Sequence, residues 1–208
     1  MICEDRRMNS KSQLPPEDVR AAVADALHEA LTNVMDPSIT HIAPINTIGC
    51  FLLRHVTGIQ YVPVAGSITV NAGAQRFGIV ALPERIADHE YYVWSEARFE
   101  DGSVSIADFG SRYWQAWAKE EGVLWVGDVP PHAVWIWRTG IPETVAYYEE
   151  QPAITNEVRG AIEGAVSAAT PEPAVQVWEQ TINAAIDLLM DNDVSRAFLE
   201  KQGVIEPT

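Results

Sequence analysis

The chain has 208 residues, 47% of them hydrophobic and 21% charged, and its formal net charge is −15. This length can build one sizeable core, and the composition is that of a globular protein, which excludes wholesale disorder. An acidic surface repels phosphate backbones and anionic lipid, so we expect no nucleic-acid or membrane binding, and solubility is the plainest role of the charge.

The N-terminus and the cysteine content predict a cytoplasmic protein. Residues 1–14 form a polar leader without the apolar region of a secretory signal, and no stretch approaches the roughly 18 apolar residues of a membrane span. The two cysteines, Cys3 and Cys50, do not form a disulfide framework, which favours a reducing compartment. No cluster with metal-ligand spacing and no glycine-rich phosphate loop occurs, so we expect no cofactor.

The first predicted elements are two helices. Pro15 and the acidic residues after it suit a first helical turn, apolar residues then recur at helical spacing, and Asp36-Pro37-Ser38 is expected to end this helix. A loop is predicted from Ile42 to Ile48. The segment Cys50–Val56 is apolar on nearly all sides and predicts a short buried helix that ends near Thr57-Gly58.

Strands follow the two helices. The β-branched segment Ile59–Val70 predicts a strand, and Phe77–Leu82 is its expected partner after a turn. The clearest hairpin joins Tyr91–Phe99 to Val104–Phe109 through the turn signal Asp101-Gly102.

The rest of the chain is predicted to be mainly helical. A short helix over Ser111–Lys119 and a strand over Ala133–Trp137 precede alanine-rich helices over about 154–168, 174–189 and 193–201. Helices segregated from an antiparallel sheet define the α+β class, so we predict one domain over residues 15–208, with 151–208 as a helical C-terminal extension. The apolar faces of that extension favour covering the sheet over forming a lid or an association surface.

Cys50 is the first candidate for chemistry. A thiol at a helix N-terminus feels the positive end of the helix dipole, which lowers its pKa toward that of a reactive thiolate. Gly49 before it permits a tight turn and the close approach of a substrate. The alternative interpretation of a single cysteine in an apolar segment is a small buried hydrophobic residue.

The sequence around Cys50 resembles the papain/transglutaminase-like cysteine enzyme superfamily. In Cys50–Ser67, an apolar helix stops at Gly58 and a strand runs to Gly66, which is similar to the nucleophile helix and following strand of transglutaminase-like and arylamine N-acetyltransferase-like proteins. Downstream, Tyr92–Ala97 and Ile106–Phe109 resemble the histidine/aspartate hairpin of the same superfamily.

The resemblance covers about residues 46–110 and extends to small bacterial papain-like proteins of unknown function. It implies a nucleophile helix packed on an antiparallel sheet, with N-terminal and C-terminal helices around them.

The sequence departs from the superfamily at the expected base. The pattern is histidine, any residue, tryptophan, any residue, glutamate, and here Tyr92 stands at the histidine position before Trp94. His89 lies three residues earlier, which in a regular strand places it on the opposite face and about 10 Å away unless a bulge intervenes. As the nearest histidine, His89 is our candidate for the base that the resemblance implies, and Tyr92 and Trp94 are expected in the substrate site. Other candidates are His55, His41 and His132, or no base at all.

Three further residues complete the predicted site. By resemblance, Asp108 orients the histidine and stabilises its protonated form, although it can instead cap the helix at Ser111. The oxyanion hole would use the Cys50 backbone N–H with Asn46 or Thr47, and either side chain can instead cap the helix.

Two functions follow from these residues. In the first, Cys50 attacks an amide, ester or thioester carbonyl of a peptide or small-molecule acyl substrate, His89 transfers the proton and Asp108 holds the histidine, which gives hydrolysis or acyl transfer. In the second, the base is lost at Tyr92, and a catalytically degenerate relative binds a peptide, a small ligand or a partner protein. The sequence leaves the substrate and the oligomeric state open.

Overall fold

The chain folds into a six-stranded antiparallel sheet with helices on both sides, in a computed structural model that describes residues 13–35, 41–142, 145–168, 170 and 172–206. The predicted α+β class is confirmed. The helices are α1 (Glu17–Thr32), α2 (Ile42–Thr57), α3 (Trp114–Glu120), α4 (Pro152–Ser167), α5 (Pro173–Asp191) and α6 (Asp193–Gln202). The strands are β1 (Val62–Asn71), β2 (Arg76–Ile79), β3 (Tyr92–Arg98), β4 (Val104–Asp108), β5 (Val134–Trp137) and β6 (Ala146–Glu150).

Strand β1 lies inside the sheet and pairs along both of its edges. On one edge β6 places Glu150 opposite Gly66, and on the other edge β3 places Tyr92 opposite the same residue. Strands β2 and β6 both pair with Ile68 and Val70 of β1, so they lie on opposite edges of it. Strand β2 therefore lies on the same edge of β1 as β3. Strands β4 and β5 extend the sheet beyond β3.

The two faces of β3 belong to different parts of the core, because alternate side chains of a strand point to opposite faces. Ala97 lies in the cluster on the α2 side, where α1, α5 and α6 pack around α2. Tyr92 and Trp94 point to the other face, where they join Trp114 and Trp117. These last two residues are both buried in the same cluster, on one face of α3.

The helix that contains Cys50 begins earlier than predicted. The segment 42–48 is helical rather than a loop, so Cys50 is the ninth residue of α2 and not its first. Pro44 fits within the first turn, where its missing N–H has no intrahelical acceptor. The buried residues Ile42, Ile45 and Ile48 continue the helical spacing of the apolar face upstream of Gly49.

Several other boundaries differ from the sequence-based expectation. Helix α1 ends at Thr32, and the expected stop at residues 36–38 lies outside the described residues. The predicted helix at 111–119 divides into a 3-10 turn, Phe109–Tyr113, and α3. Strand β6 was not predicted. Of the C-terminal helices, α4 packs on β1, whereas α5 and α6 pack on α1 and α2 rather than on the sheet.

Among the described helices, none has both the length and the apolarity needed to cross a membrane.

Gly49 joins α2 to the segment after β4. A Cβ at this position would lie 2.3 Å from Cδ2 of the buried Phe109 ring and 3.2 Å from Leu27 Cδ2. We expect Gly49→Ala to lower the free energy of unfolding by about 1–3 kcal/mol, the usual effect of overpacking a core. Chemical denaturation measures this change.

Gly160→Ala in α4 is the matched control for Gly49→Ala, because nothing lies within 4 Å of a Cβ there. Alanine in an open helical position is expected to raise stability by about 0.5–1 kcal/mol. Equal effects of the two substitutions would contradict the packing assigned to Gly49.

Candidate functional site

Several buried hydrogen-bond donors converge on Asp108, the last residue of β4, which is completely buried. Its Oδ1 accepts hydrogen bonds from Asn46 Nδ2 at 2.9 Å and from the Gly110 backbone N–H at 2.8 Å. Its Oδ2 accepts from the Tyr92 hydroxyl at 2.9 Å and from the Tyr148 hydroxyl at 2.8 Å. These five residues are called the Asp108 cluster below.

Asn46 connects α2 to the hairpin. Its Nδ2 also donates to the Val93 carbonyl at 2.8 Å, and its Oδ1 accepts from the Phe109 backbone N–H at 2.7 Å. The side chain therefore bonds at both ends inside the protein, in the second turn of α2 rather than at its N-cap, which is His41. In this arrangement Asn46 fixes the position of the helix on the sheet.

Tyr92, which the sequence resemblance placed at the expected histidine position, is buried in the core. Its hydroxyl donates to Asp108 and accepts from Trp114 Nε1 at 3.1 Å, and its ring stacks on Trp117 at 5.9 Å with an interplanar angle of 9°. A Cβ on Gly110 would lie 2.7 Å from this hydroxyl and 2.8 Å from Ile42 Cγ2. Ile42, the first residue of α2, and the Tyr92 hydroxyl therefore both lie beside Gly110.

Burial governs the ionisation of this cluster. It raises the pKa of Asp108 above 3.8, and the hydrogen bonds from Asn46, Tyr148, Tyr92 and Gly110 oppose that rise. The pKa values of Tyr92 and Tyr148 are raised well above 10.0, first by burial and then by the charge of Asp108. Both phenols therefore stay protonated near neutral pH, where they donate hydrogen bonds and do not act as bases.

Cys50 lies in the apolar core on the α2 side of the sheet. It is 0% exposed and belongs to the cluster that contains Leu27, Leu53 and Ala185. Its position in the third turn of α2 removes it from the end of the dipole, whose effect falls off within one turn. It interacts electrostatically with Tyr61, whose pKa is raised by burial to about 12, so that phenol is also protonated at neutral pH.

His89 lies at the surface. It is an exposed residue that follows the 3-10 helix Pro83–Asp88 with φ 56°, and its Nδ1 is 3.4 Å from the Tyr91 hydroxyl. Because β3 begins only at Tyr92, His89 is not part of the strand. Among the described residues, the hydrogen-bond partners of Asp108 include no histidine.

The other predicted site residues are buried. Thr47 is 5% exposed within α2, and the completely buried Trp94 packs its ring 5.4 Å from that of Tyr148. The Nε1 of Trp94 has no hydrogen-bond partner among the described residues. Asp108 also accepts the Gly110 N–H as the N-cap of the 3-10 turn, so the capping role considered from the sequence is present.

The remaining histidines are distributed over the fold. His41 is the N-cap residue of α2, His55 lies in the last turn of α2, and His132 Nδ1 is 2.8 Å from Asp25 Oδ1. Within the described part of the chain, no group of three or more histidine, cysteine or acidic residues could hold a metal ion.

Sequence reasoning missed the hydrogen-bonding roles of Tyr148 and Trp114 at this site. Tyr148 comes from β6, and Trp114 donates to Tyr92 from the start of α3. The segment Ala146–Glu150 has no regular alternation of apolar and polar residues, and the burial of Ala146 and Tyr148 on one face is seen only in the structure. No local signal therefore pointed to β6 or to the partner of its tyrosine.

A second buried acid, Glu96, lies in β3 four residues after Tyr92. Glu96 is completely buried, and its Oε1 accepts from Arg98 Nε at 3.0 Å while its Oε2 accepts from Arg138 Nη1 at 3.3 Å. Arg98 also pairs with Glu150 at 3.1 Å. Two guanidinium groups thus compensate this carboxylate, and nothing in its surroundings points to a substrate.

The fold defines an α+β protein with a closed polar site. No family model matches the sequence, and no curated protein matches it. The chain is similar to a solved structure described as "The crystal structure of genomics APC5867", with a TM-score of 0.51 and 14% sequence identity. The similarity covers 85% of this chain and 81% of that one. At this identity the likeness concerns the fold alone, which both chains share over most of their lengths.

Removing one donor from the Asp108 cluster tests its contribution to stability. We expect Tyr148→Phe to lower the free energy of unfolding by about 1–3 kcal/mol, because the buried carboxylate then lacks a hydrogen-bond donor. Tyr147→Phe, in the same strand but 56% exposed, is the control and should change stability by less than about 0.5 kcal/mol. Similar losses for both variants would contradict the role assigned to Tyr148.

Proposed function

We propose that this protein is a non-catalytic binding protein built on a papain/transglutaminase-like fold. The supporting observation is Tyr92: the residue at the expected base position is a phenol that bonds to Asp108 and Trp114 inside the core. A base in such a site must accept a proton near neutral pH, and a phenol with a raised pKa does not.

The surroundings of Tyr92 support the same proposal. A cysteine enzyme needs a nucleophile beside a base that an acid orients, and a helix N-terminus lowers the pKa of a thiol. Here the helix N-terminus carries Ile42, and Cys50 lies in the third turn of α2. The helix dipole therefore does not activate the thiol, the expected base position carries a phenol, and Asp108 keeps a structural role.

The catalytic alternative uses Cys50, His89 and Asp108 as nucleophile, base and orienting acid. It requires the Cys50 thiol to reach a carbonyl group, but this thiol is 0% exposed in the middle of α2. It also requires His89 to replace one of the donors that Asp108 already has. Both changes involve opening the core, so binding is the function that the geometry favours.

Among binding partners, we infer a protein, because a partner protein needs an accessible surface rather than a deep cavity. The crevice between α1, α2 and residues 109–113 has a volume of only about 10 Å³, far below the roughly 300–1,000 Å³ of usual small-molecule sites. A depression of about 440 Å³, lined by residues that include Leu14, Arg20 and Trp137, falls within that range, so a small ligand is the second candidate.

Thiol reactivity separates the binding and catalytic functions. At pH 6–8, we expect iodoacetamide to modify Cys50 in the folded protein at least about 100-fold more slowly than in the denatured protein, because burial excludes the reagent and disfavours the thiolate. Peptide mapping by mass spectrometry follows Cys50 separately from Cys3, which serves as an internal control.

A Cys50 thiol that reacts in the folded state as fast as in the denatured state, or faster at mildly acidic pH, would contradict the proposal. It would favour the catalytic function.

A further inference from the structure

The segment between α3 and β5 exposes three large aliphatic side chains within six residues. Leu124 is 72% exposed, Val126 is 57% exposed and Val129 is 77% exposed. Single exposed aliphatic residues are common on protein surfaces, but local groups of them mark interaction sites more often. These three residues are called the 124–129 ridge.

Backbone contacts hold the ridge in its outward orientation. The Leu124 N–H donates to Gln75 Oε1 and the Val126 N–H donates to the Ala72 carbonyl, both at 3.2 Å. These bonds attach the ridge to the turn between β1 and β2. Its exposed residues are therefore fixed by the fold.

The residues between the exposed ones fill the space beneath the ridge. Trp125 packs edge-on against Phe77 with ring centroids 6.4 Å apart, and its Nε1 donates to the Asp128 carbonyl at 2.8 Å. Val123 also packs on the core cluster of that face. Because the inner positions are occupied, the aliphatic residues of the ridge cannot turn inward without displacing Trp125.

The charges beside the ridge are mainly acidic. Glu120 and Glu121 precede it and Asp128 lies within it, all exposed. The basic residues nearby are Lys119 and Arg76, the second of which follows the turn that holds the ridge. Glu121 is held in place by a hydrogen bond from Trp117 Nε1 at 3.2 Å. Repulsion between negative charges disfavours binding of the ridge to an anionic lipid surface. Because the chain has a net charge of −15, the same repulsion disfavours association of the ridge with a second copy of the protein. Basic residues would complement this surface.

We propose that the 124–129 ridge is a docking surface for a partner protein, through a segment whose aliphatic side chains are flanked by lysine or arginine. The aliphatic residues of the partner cover Leu124, Val126 and Val129, and its basic residues pair with Glu120, Glu121 and Asp128. This inference rests on the proposed binding function and specifies its surface and the chemistry of its partner.

A labelled peptide of alternating lysine and valine is a suitable probe, with fluorescence anisotropy on the full-length protein as the measurement. We expect binding that weakens as salt is raised, because the acidic flanks contribute to it. We expect much weaker binding of a glutamate–valine peptide and of a lysine–serine peptide, which lack the charge or the apolar surface.

Two sets of variants locate the binding surface. The triple variant Leu124→Ser, Val126→Ser, Val129→Ser should lose about tenfold or more in affinity for the lysine–valine peptide. Val80→Ser, Val166→Ser, Val194→Ser removes the same kind of exposed residue elsewhere and should bind as the unmodified protein does. Glu120→Gln, Glu121→Gln, Asp128→Asn should weaken binding and reduce its salt dependence.

Several results would overturn the docking surface. These are no binding of the lysine–valine peptide, equal binding by the ridge and control variants, ridge-dependent dimerisation in sedimentation, or ridge-dependent binding to phosphatidylserine vesicles in place of the peptide. Each can occur while Cys50 stays unreactive, so the ridge and the non-catalytic function can fail independently.

Discussion

The structure depends on the burial of one carboxyl group. Asp108 has no contact with solvent, so its oxygens must obtain their hydrogen bonds from the protein. The donors come from α2, β3, β6 and the turn after β4. Meeting this requirement fixes a helix and three strands relative to one another, and Asn46 adds bonds to β3 and to Phe109.

The same requirement bears on the base position that the sequence resemblance predicted. An acid that orients a histidine in an enzyme keeps part of its hydrogen-bonding capacity for that imidazole. Here Tyr92 takes the position and donates its proton, while Trp114 occupies the acceptor capacity of its oxygen. The arrangement therefore stabilises the fold, and the proposed non-catalytic function rests on it.

Much of this fold could be predicted from the sequence, because hydrophobic periodicity and turn signals report local structure. The hairpin on either side of Asp101-Gly102 is an example, and Asp108 in an apolar strand indicated a need for buried partners. The predicted start of α2 was wrong because Gly49 was interpreted as the residue before a helix N-terminus. The absence of a side chain at Gly49 instead makes room for the Phe109 ring. Contacts such as Asn46 with Asp108, 62 residues apart, depend on the complete fold and leave no local signal.

The pH dependence of stability tests the burial of Asp108 most directly. A carboxyl group whose pKa is raised by folding stabilises the protein when protonated, and this contribution is lost as pH rises above about 4 through the raised pKa. The free energy of unfolding of the unmodified protein should therefore fall relative to that of Asp108→Asn over this range, by up to about 1.4 kcal/mol per pH unit, and then level off. A difference independent of pH, or one that grows in favour of the unmodified protein as pH rises, would contradict the account.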